Sequence, residues 1–269
     1  MDEIDRLKHL AKSIRINVLN MTFKAGVNGG HIGGAFSSAD ILSCLYGKIL
    51  NIPSPTDQDR DRFILSKGHT AIAHYATLAE CGFISLEDLE TFEMPASDFS
   101  THEMINIEKG IEISSGSLGY GLSISVGIAL AAKCKHKKFK TYVLLGDGEC
   151  NEGTVWEAAM AAAKFKLHNL IAIVDVNNQS LDGYNVMPIH NIKEVWQGFG
   201  WNTIEIDGND IEELLSAFNN LSQNNPNVII AHTIKVKGIP SIEGQDSWHH
   251  ARLAEEQYKA FLAELENAI

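Results

Sequence analysis

Two short stretches hold residues whose types suit metal and phosphate chemistry. Gly146-Asp147-Gly148-Glu149-Cys150-Asn151-Glu152-Gly153 follows one apolar run, and Asn177 ends the next, 30 residues after Asp147. A carboxylate and an amide carbonyl are hard oxygen donors suited to Mg2+ or Ca2+, ions whose shells are completed by water and phosphate. Glycines on both sides of Asp147 let the backbone approach a diphosphate, and a helix opening near Gly153 would aim free N–H groups at it. Gly-Asp-Gly alone is also a common tight turn with an N-capping aspartate. The second stretch, Asp175-Val176-Asn177-Asn178-Gln179 followed by Leu181-Asp182-Gly183, shifts the reading to a metal-diphosphate clamp. A right-handed βαβ crossover sets two such strand ends side by side, where open α/β sheets bind their ligands.

The elements that must position these residues are visible in the apolar periodicity. Ile4, Leu7, Leu10, Ala11, Ile14, Val18 and Met21 form one helical stripe, so a helix is predicted over residues 3 to 25. Gly26 to Gly34 reads as a loop, Ile41 to Ile49 as a second helix, Phe63 to Leu65 as a short strand and Ser66 to His69 as the loop at its end. A helix is expected over 70–81 and another from near Gly121. Four further strands are predicted: Thr141–Leu145, Leu170–Asp175, Asn202–Ile206 and Val228–Ile234. Helices lie between successive pairs at 153–165, 191–198 and 210–222, and a last one runs from Ala251 to Ala268. This alternation predicts a three-layer α/β/α fold with a mostly parallel sheet, and no linker or repeat divides residues 1–269.

Composition narrows the function classes. With 22 Lys plus Arg against 34 Asp plus Glu, the 269-residue chain carries a formal charge of −12 and is 45% hydrophobic, which excludes disorder as the main state. An acidic chain lacks the footprint of a nucleic-acid binder, and the run Lys133 to Lys140 reads as cations at a helix C-terminus. The apolar runs are too short for a membrane helix, the N-terminus has no signal pattern, and the four cysteines have no metal-ligand spacing, so a cytoplasmic protein without a membrane or zinc partner is expected.

The spacing from Gly146 to Asn178 resembles the diphosphate signature of thiamine-diphosphate enzymes, and other motifs narrow the resemblance to transketolases. Gly30-His31-Ile32-Gly33-Gly34 is similar to that family's Gly-His-Pro-Gly, Leu65-Ser66-Lys67-Gly68-His69 to its Leu-Ser-x-Gly-His, and Ser115-Gly116-Ser117-Leu118-Gly119 to its Gly-Pro/Ser-Leu-Gly loop. Thr233 to Gly238 and Trp248-His249 resemble its C-terminal motifs. The resemblance implies the thiamine-diphosphate-binding fold, and it implies that Asp147, Asn177 and the Gln179 carbonyl hold Mg2+ or Ca2+. It further implies that His69, His249, Gly148, Glu149 and Asn177 lie at the cofactor's diphosphate end, and that the backbone of Gly116 and Leu118, with Ser117 between them, faces its aminopyrimidine. His31 and His249 would meet sugar hydroxyls and His102 the donor's first hydroxyl, work for which near-neutral pKa values are expected. Three positions depart from the family pattern: Ile32 replaces a proline, Thr101-His102-Glu103 replaces Gly-His-Pro, and His250 replaces a glycine. His9, His74, His136, His168, His190 and His232 are expected to be solvent-facing or locally bonded, and Glu149 and Glu152 to complement a helix dipole.

About 35 residues follow the last predicted strand, too few for the second α/β domain whose glutamate activates the cofactor in this family. The resemblance is therefore to the N-terminal subunit of a split transketolase. It implies a C-terminal partner subunit carrying the pyrimidine-binding domain, an α2β2 heterotetramer, and transfer of a two-carbon ketol group between sugar phosphates. The alternatives are the α subunit of a 2-oxoacid dehydrogenase and a non-catalytic thiamine-diphosphate-binding module.

Overall fold

A computed structural model describes residues 1–180, 183–184 and 187–267. Leu181 and Asp182, at the end of the second strand-end motif, and Ala268, the expected end of the last helix, lie outside the described residues. The elements run α1 (Glu3–Lys24), α2 (Ile32–Ser37), α3 (Ala39–Cys44), β1 (Arg62–Leu65), α4 (Ala71–Glu80), α5 (Leu86–Leu89), α6 (Tyr120–Cys134) and β2 (Thr141–Gly146). They continue with α7 (Gly153–Lys164), β3 (Leu170–Val176), the short pair β4 (Gln179–Ser180) and β5 (Gly183–Tyr184), then α8 (Ile192–Gly198), β6 (Asn202–Asp207), α9 (Ile211–Asn219), β7 (Asn227–His232) and α10 (Glu255–Asn267).

The main sheet has five parallel strands in the order β1-β2-β3-β7-β6. Successive residues of a strand face opposite sides, and the buried residues divide accordingly. Phe63, Tyr142, Leu144, Ile171, Ile173 and Ile229 pack with α1, α3, α4, α9 and α10, while Ile64, Val143, Leu145, Ala172, Val174 and Ile230 pack with α6, α7 and α8. This is the expected three-layer α/β/α arrangement. Strand β3 is buried along its whole length, and the edge strand β6 holds only half-buried and exposed residues.

Local departures have packing causes. The Gly26–Gly34 segment is not all loop, because α2 begins at Ile32 and is buried throughout. The expected helix Ile41–Ile49 ends as α3 at Cys44 and passes into a π-helical turn, Leu45–Ile49. Gly47 in that turn lies so close to α1 that a Cβ there would sit 2.5 Å from Leu7 Cδ2. Strand β7 stops at His232 instead of Ile234, since the Thr233 hydroxyl turns onto Asp175. Ala251 does not start the last helix but forms an isolated antiparallel bridge with Gly30, each backbone N–H donating to the other's carbonyl at 2.9 Å.

Candidate active site

The carboxyl ends of β1, β2, β3 and β7 surround a cleft of about 430 Å³. Asp147, Gly148, Asn177 and Gln179 line one part of it, and His69, His102, Gly116, Leu118 and His249 another. Parallel strands and their crossovers thus join residues far apart in sequence, as the spacing of Asp147 and Asn177 predicted. Ser117 is not among the lining residues, and the backbone at the cleft belongs to the 3-10 turn Gly148–Asn151, with α7 starting beyond it at Gly153.

Asp147 is 7% exposed. It accepts hydrogen bonds from Gly148 N at 2.8 Å and Asn178 N at 2.6 Å. Asn178 can aim its N–H there because its backbone is left-handed, with φ 59°, a conformation that asparagine tolerates. Burial, then the charge of Asp175, pushes the Asp147 pKa up to about 6, with the two backbone donors pulling the other way. A divalent cation would supply the positive charge that this carboxylate needs. Asn177 Oδ1 accepts from Gln179 N at 3.1 Å, and Gln179 Oε1 is buried without a hydrogen-bond partner among the described residues. No group of three or more His, Cys, Asp or Glu among the described residues is arranged to hold a metal ion. The available donors are thus few and oxygen-rich, which suits Mg2+ or Ca2+ completed by phosphate and water.

The histidines meet through the Gly30–Ala251 bridge, which brings the segment before α2 against the segment before α10. His31 lies with its ring centroid 5.7 Å from His69, 6.2 Å from His102, 5.5 Å from His249 and 4.7 Å from His250. Gly33 permits this approach, since a Cβ there would lie 2.9 Å from Trp248 O and 3.2 Å from His249 Cα. The expected near-neutral pKa values do not hold for two of these residues. Burial, followed by the neighbouring imidazoles of His250, His249 and His102, lowers His31 to about 3, and burial with Lys67 beside it lowers His69 well below the usual range. Both rings are neutral at physiological pH and serve as hydrogen-bonding groups, each with one donor and one acceptor nitrogen. His31 Nδ1 is buried without a hydrogen-bond partner among the described residues.

The structure adds residues that the motifs did not single out. Lys67 and Asp175 are buried together under the cleft as an ion pair. Asp175 also accepts from Ser37 Oγ at 2.7 Å and from the Thr233 hydroxyl, and Lys67 Nζ also donates to Gly34 O at 3.2 Å. An acid inside the apolar run of β3 was the available signal. Lys235 also lines the cleft, and burial lowers its pKa. His250 packs against His31, so the departure from the family's glycine lies beside the site. Glu149 lines the cleft, but its carboxylate accepts from the Ser66 hydroxyl, Gly119 N and Gly146 N, bracing three loops. Of the six histidines expected to be solvent-facing or locally bonded, His74 is neither: it is 1% exposed and bonded to Tyr46 and Glu103, 28 and 29 residues away in sequence. The other five are exposed.

The same arrangement is found among known proteins. The sequence profile described as "Transketolase, thiamine diphosphate binding domain" matches residues 7–266. The chain belongs to the transketolase family. It is 38% identical to an apulose-4-phosphate transketolase subunit of Phocaeicola vulgatus, over 99% of this chain and 96% of that protein. It is 40% identical to the 6-deoxy-6-sulfo-D-fructose transketolase subunit SqwG of a Clostridium species, over 97% of this chain and 96% of that one. The crystal structure of transketolase from Campylobacter jejuni superposes with a TM-score of 0.89 at 33% identity, covering 99% of this chain and 43% of that one. The chain thus spans less than half of that transketolase, yet matches these transketolase subunits almost end to end. This is the relation expected of the N-terminal, thiamine-diphosphate-binding subunit of a split transketolase. The family match sets the 2-oxoacid dehydrogenase alternative aside.

Proposed function

We propose that this chain, as one diphosphate-binding domain over residues 1–269, acts with a C-terminal subunit to move a two-carbon ketol group from a ketose phosphate to an aldose phosphate. The observation that carries the proposal is the convergence of His69, His102 and His249 on the cleft that also exposes Asp147 and Asn177. Asp147, the Asn177 amide oxygen and the Gln179 carbonyl would hold Mg2+, or Ca2+, against the diphosphate, with the backbone of Gly148 and Glu149 and the rings of His69 and His249 at its other oxygens. Gly116 and Leu118, with Ser117 between them, would face the aminopyrimidine. Thiamine diphosphate, when bound, supplies a nucleophilic carbon and an electron sink.

The chain's own residues bind, orient and move protons. The neutral ring of His31 and the ring of His249 would each give or take a hydrogen bond at the sugar hydroxyls, and His102 would hold the donor's first hydroxyl. Rings kept neutral by burial do not repel the metal, and their lone pairs can accept a hydrogen bond from a sugar hydroxyl. The activating glutamate against the pyrimidine would come from the partner's pyrimidine-binding domain, in an α2β2 heterotetramer. The names of the two transketolase-subunit relatives support a partner chain, and that of the apulose-4-phosphate transketolase subunit supports a sugar phosphate substrate. Four free cysteines are consistent with the reducing cytoplasm. No described helix is long and apolar enough to cross a membrane.

The test is the complex purified with its partner subunit. Wild type should bind thiamine diphosphate with Mg2+ and transfer a ketol group from a ketose phosphate donor, and Asp147→Ala should bind neither cofactor nor metal. Normal binding by Asp147→Ala would remove the metal assignment, and a cofactor-loaded complex that turns over no ketose phosphate would remove the transferase reading.

A further inference from the structure

The segment that presents His102 has no regular backbone to shape it, since residues 95–105 carry neither helix nor strand. Its form rests on side-chain hydrogen bonds. Tyr75 donates to Ser100 O at 3.0 Å, Ser100 Oγ donates to His102 O at 2.7 Å, and Thr101 Oγ1 donates to Glu93 Oε1 at 2.6 Å. The next residue, Glu103, is 2% exposed and turned into the protein. Its carboxylate meets His74 Nδ1, and His74 Nε2 lies 2.5 Å from the Tyr46 hydroxyl.

A carboxylate only accepts, so His74 Nδ1 donates to Glu103, and Nε2 shares a hydrogen bond with the Tyr46 hydroxyl. Burial, then the Glu103 charge, raises the Tyr46 pKa well above its ordinary value, so the hydroxyl stays protonated. The Phe63 ring lies 4.9 Å from that of His74 and helps to exclude water. The backbone of Glu103 is also tied to the aminopyrimidine loop: its N–H donates to Ser115 Oγ at 3.2 Å, and its carbonyl accepts from Ser115 N at 2.9 Å. Gly116 follows at once, so close that a Cβ on it would lie 3.3 Å from His102 Cδ2.

We propose that Tyr46, His74 and Glu103 are positioning residues, a buried hydrogen-bonded chain that sets both His102 and Gly116 in the cleft. Where the family pattern stiffens this place with Gly-His-Pro, Thr101-His102-Glu103 is held from beneath by His74. The chain tethers the segment at a point, through Glu103, and the two Ser115 bonds pass the constraint to the neighbouring loop. The structural half of the proposal stands alone, and its effect on donor binding rests on the ketol-transfer reading above.

Hydrogen–deuterium exchange on the cofactor-loaded complex separates these two halves. In Glu103→Ala and His74→Phe, amides of residues 101–104 and 115–117 are expected to exchange roughly ten- to a hundredfold faster, the worth of one hydrogen bond to a charged group, with β2 and β3 unchanged. Glu103→Gln keeps an acceptor for His74 and is expected to stay within about threefold of wild type. Tyr46→Phe removes only the outer bond and should give a severalfold rise, so it carries the test if the alanine variant fails to fold. Unchanged protection in these segments, or an equal rise across β2 and β3, would overturn the proposal. In the same complexes the donor KM should rise about tenfold or more in Glu103→Ala, with a smaller loss of thiamine diphosphate affinity through Gly116. Faster exchange with an unchanged donor KM would overturn the catalytic consequence alone, whereas absent transfer by the wild-type complex would count against the ketol-transfer reading and leave the exchange result intact.

Discussion

Breaking the ion pair under the cleft should damage both stability and cofactor binding, and the structure sets the scale. Lys67 is 1% exposed and Asp175 0%, so neither has water to replace a lost partner. In Lys67→Met, Asp175 keeps two hydroxyl donors, from Ser37 and Thr233, but loses its counter-charge. Removing one member of a buried pair destabilises by about 3–5 kcal/mol, because the remaining charge stays uncompensated. For a chain of this size that corresponds to a fall in Tm of roughly 6–20 °C. Asp175→Asn keeps the shape and strands the lysine, so a loss of similar size is expected. The double variant Lys67→Met with Asp175→Asn removes both charges at nearly constant volume. It should be more stable than the sum of the single losses by about 2 kcal/mol or more. The assay is thermal and urea unfolding of the three variants, followed by circular dichroism and tryptophan fluorescence. Calorimetric titration with thiamine diphosphate and Mg2+ adds the functional consequence, since His69 and Asn177 lie two residues from the pair and line the cleft. Additive single losses of under about 1 kcal/mol would refute the argument that charge compensation holds this site together.

Other outcomes follow from single contacts. Asp147 is raised from 3.8 to about 6, so the metal-free fold gains from its protonated form below about pH 4 and loses that gain as pH rises through 6. Metal binding needs the ionised form, so Mg2+ affinity should fall about tenfold per pH unit below about pH 6 and level off above it, and an affinity flat across this range would contradict the burial of Asp147. Gly33→Ala places a Cβ 2.8 Å from Lys235 Cε and 3.2 Å from His249 Cα, so donor kcat/KM should fall about tenfold or more while stability falls by about 1–3 kcal/mol. Ile229→Ala, in the 0% exposed centre of β7, should lose about 3–5 kcal/mol by urea unfolding, against about 1–2 kcal/mol for Ile206→Ala on the half-buried edge strand.

The elements and the meeting of Asp147 with Asn177 at one cleft were legible in the sequence because they rest on short-range patterns. The stripe from Leu7 to Met21 set α1, and apolar runs bounded by polar turns set the five strands of the main sheet within a few residues. The spacing of Asp147 and Asn177 already carried their adjacency, since one βαβ crossover has little choice of hand or neighbour. Failures came where a long-range contact overrode local pattern. Glycines that read as a loop belong to the buried helix α2, because Lys235, Trp248 and His249 press against it. His74, expected to be solvent-facing or locally bonded, is buried because Tyr46 and Glu103 offer it partners from other segments.

Amino-acid order by itself determined the α/β class, which follows from periodicity, and it carried the motifs whose resemblance points to the family. Tertiary structure decided the rest. It inserted β7 between β3 and β6 although β6 precedes it in the chain, because strand order depends on how whole elements pack. It also brought His31 against His249 and His250 through one bridge at Gly30 and Ala251, and by burying His31 turned an expected proton carrier into a neutral hydrogen-bonding ring. A side chain's type is written in the sequence, but its pKa and its partners depend on desolvation and on contacts that exist only after the chain has folded.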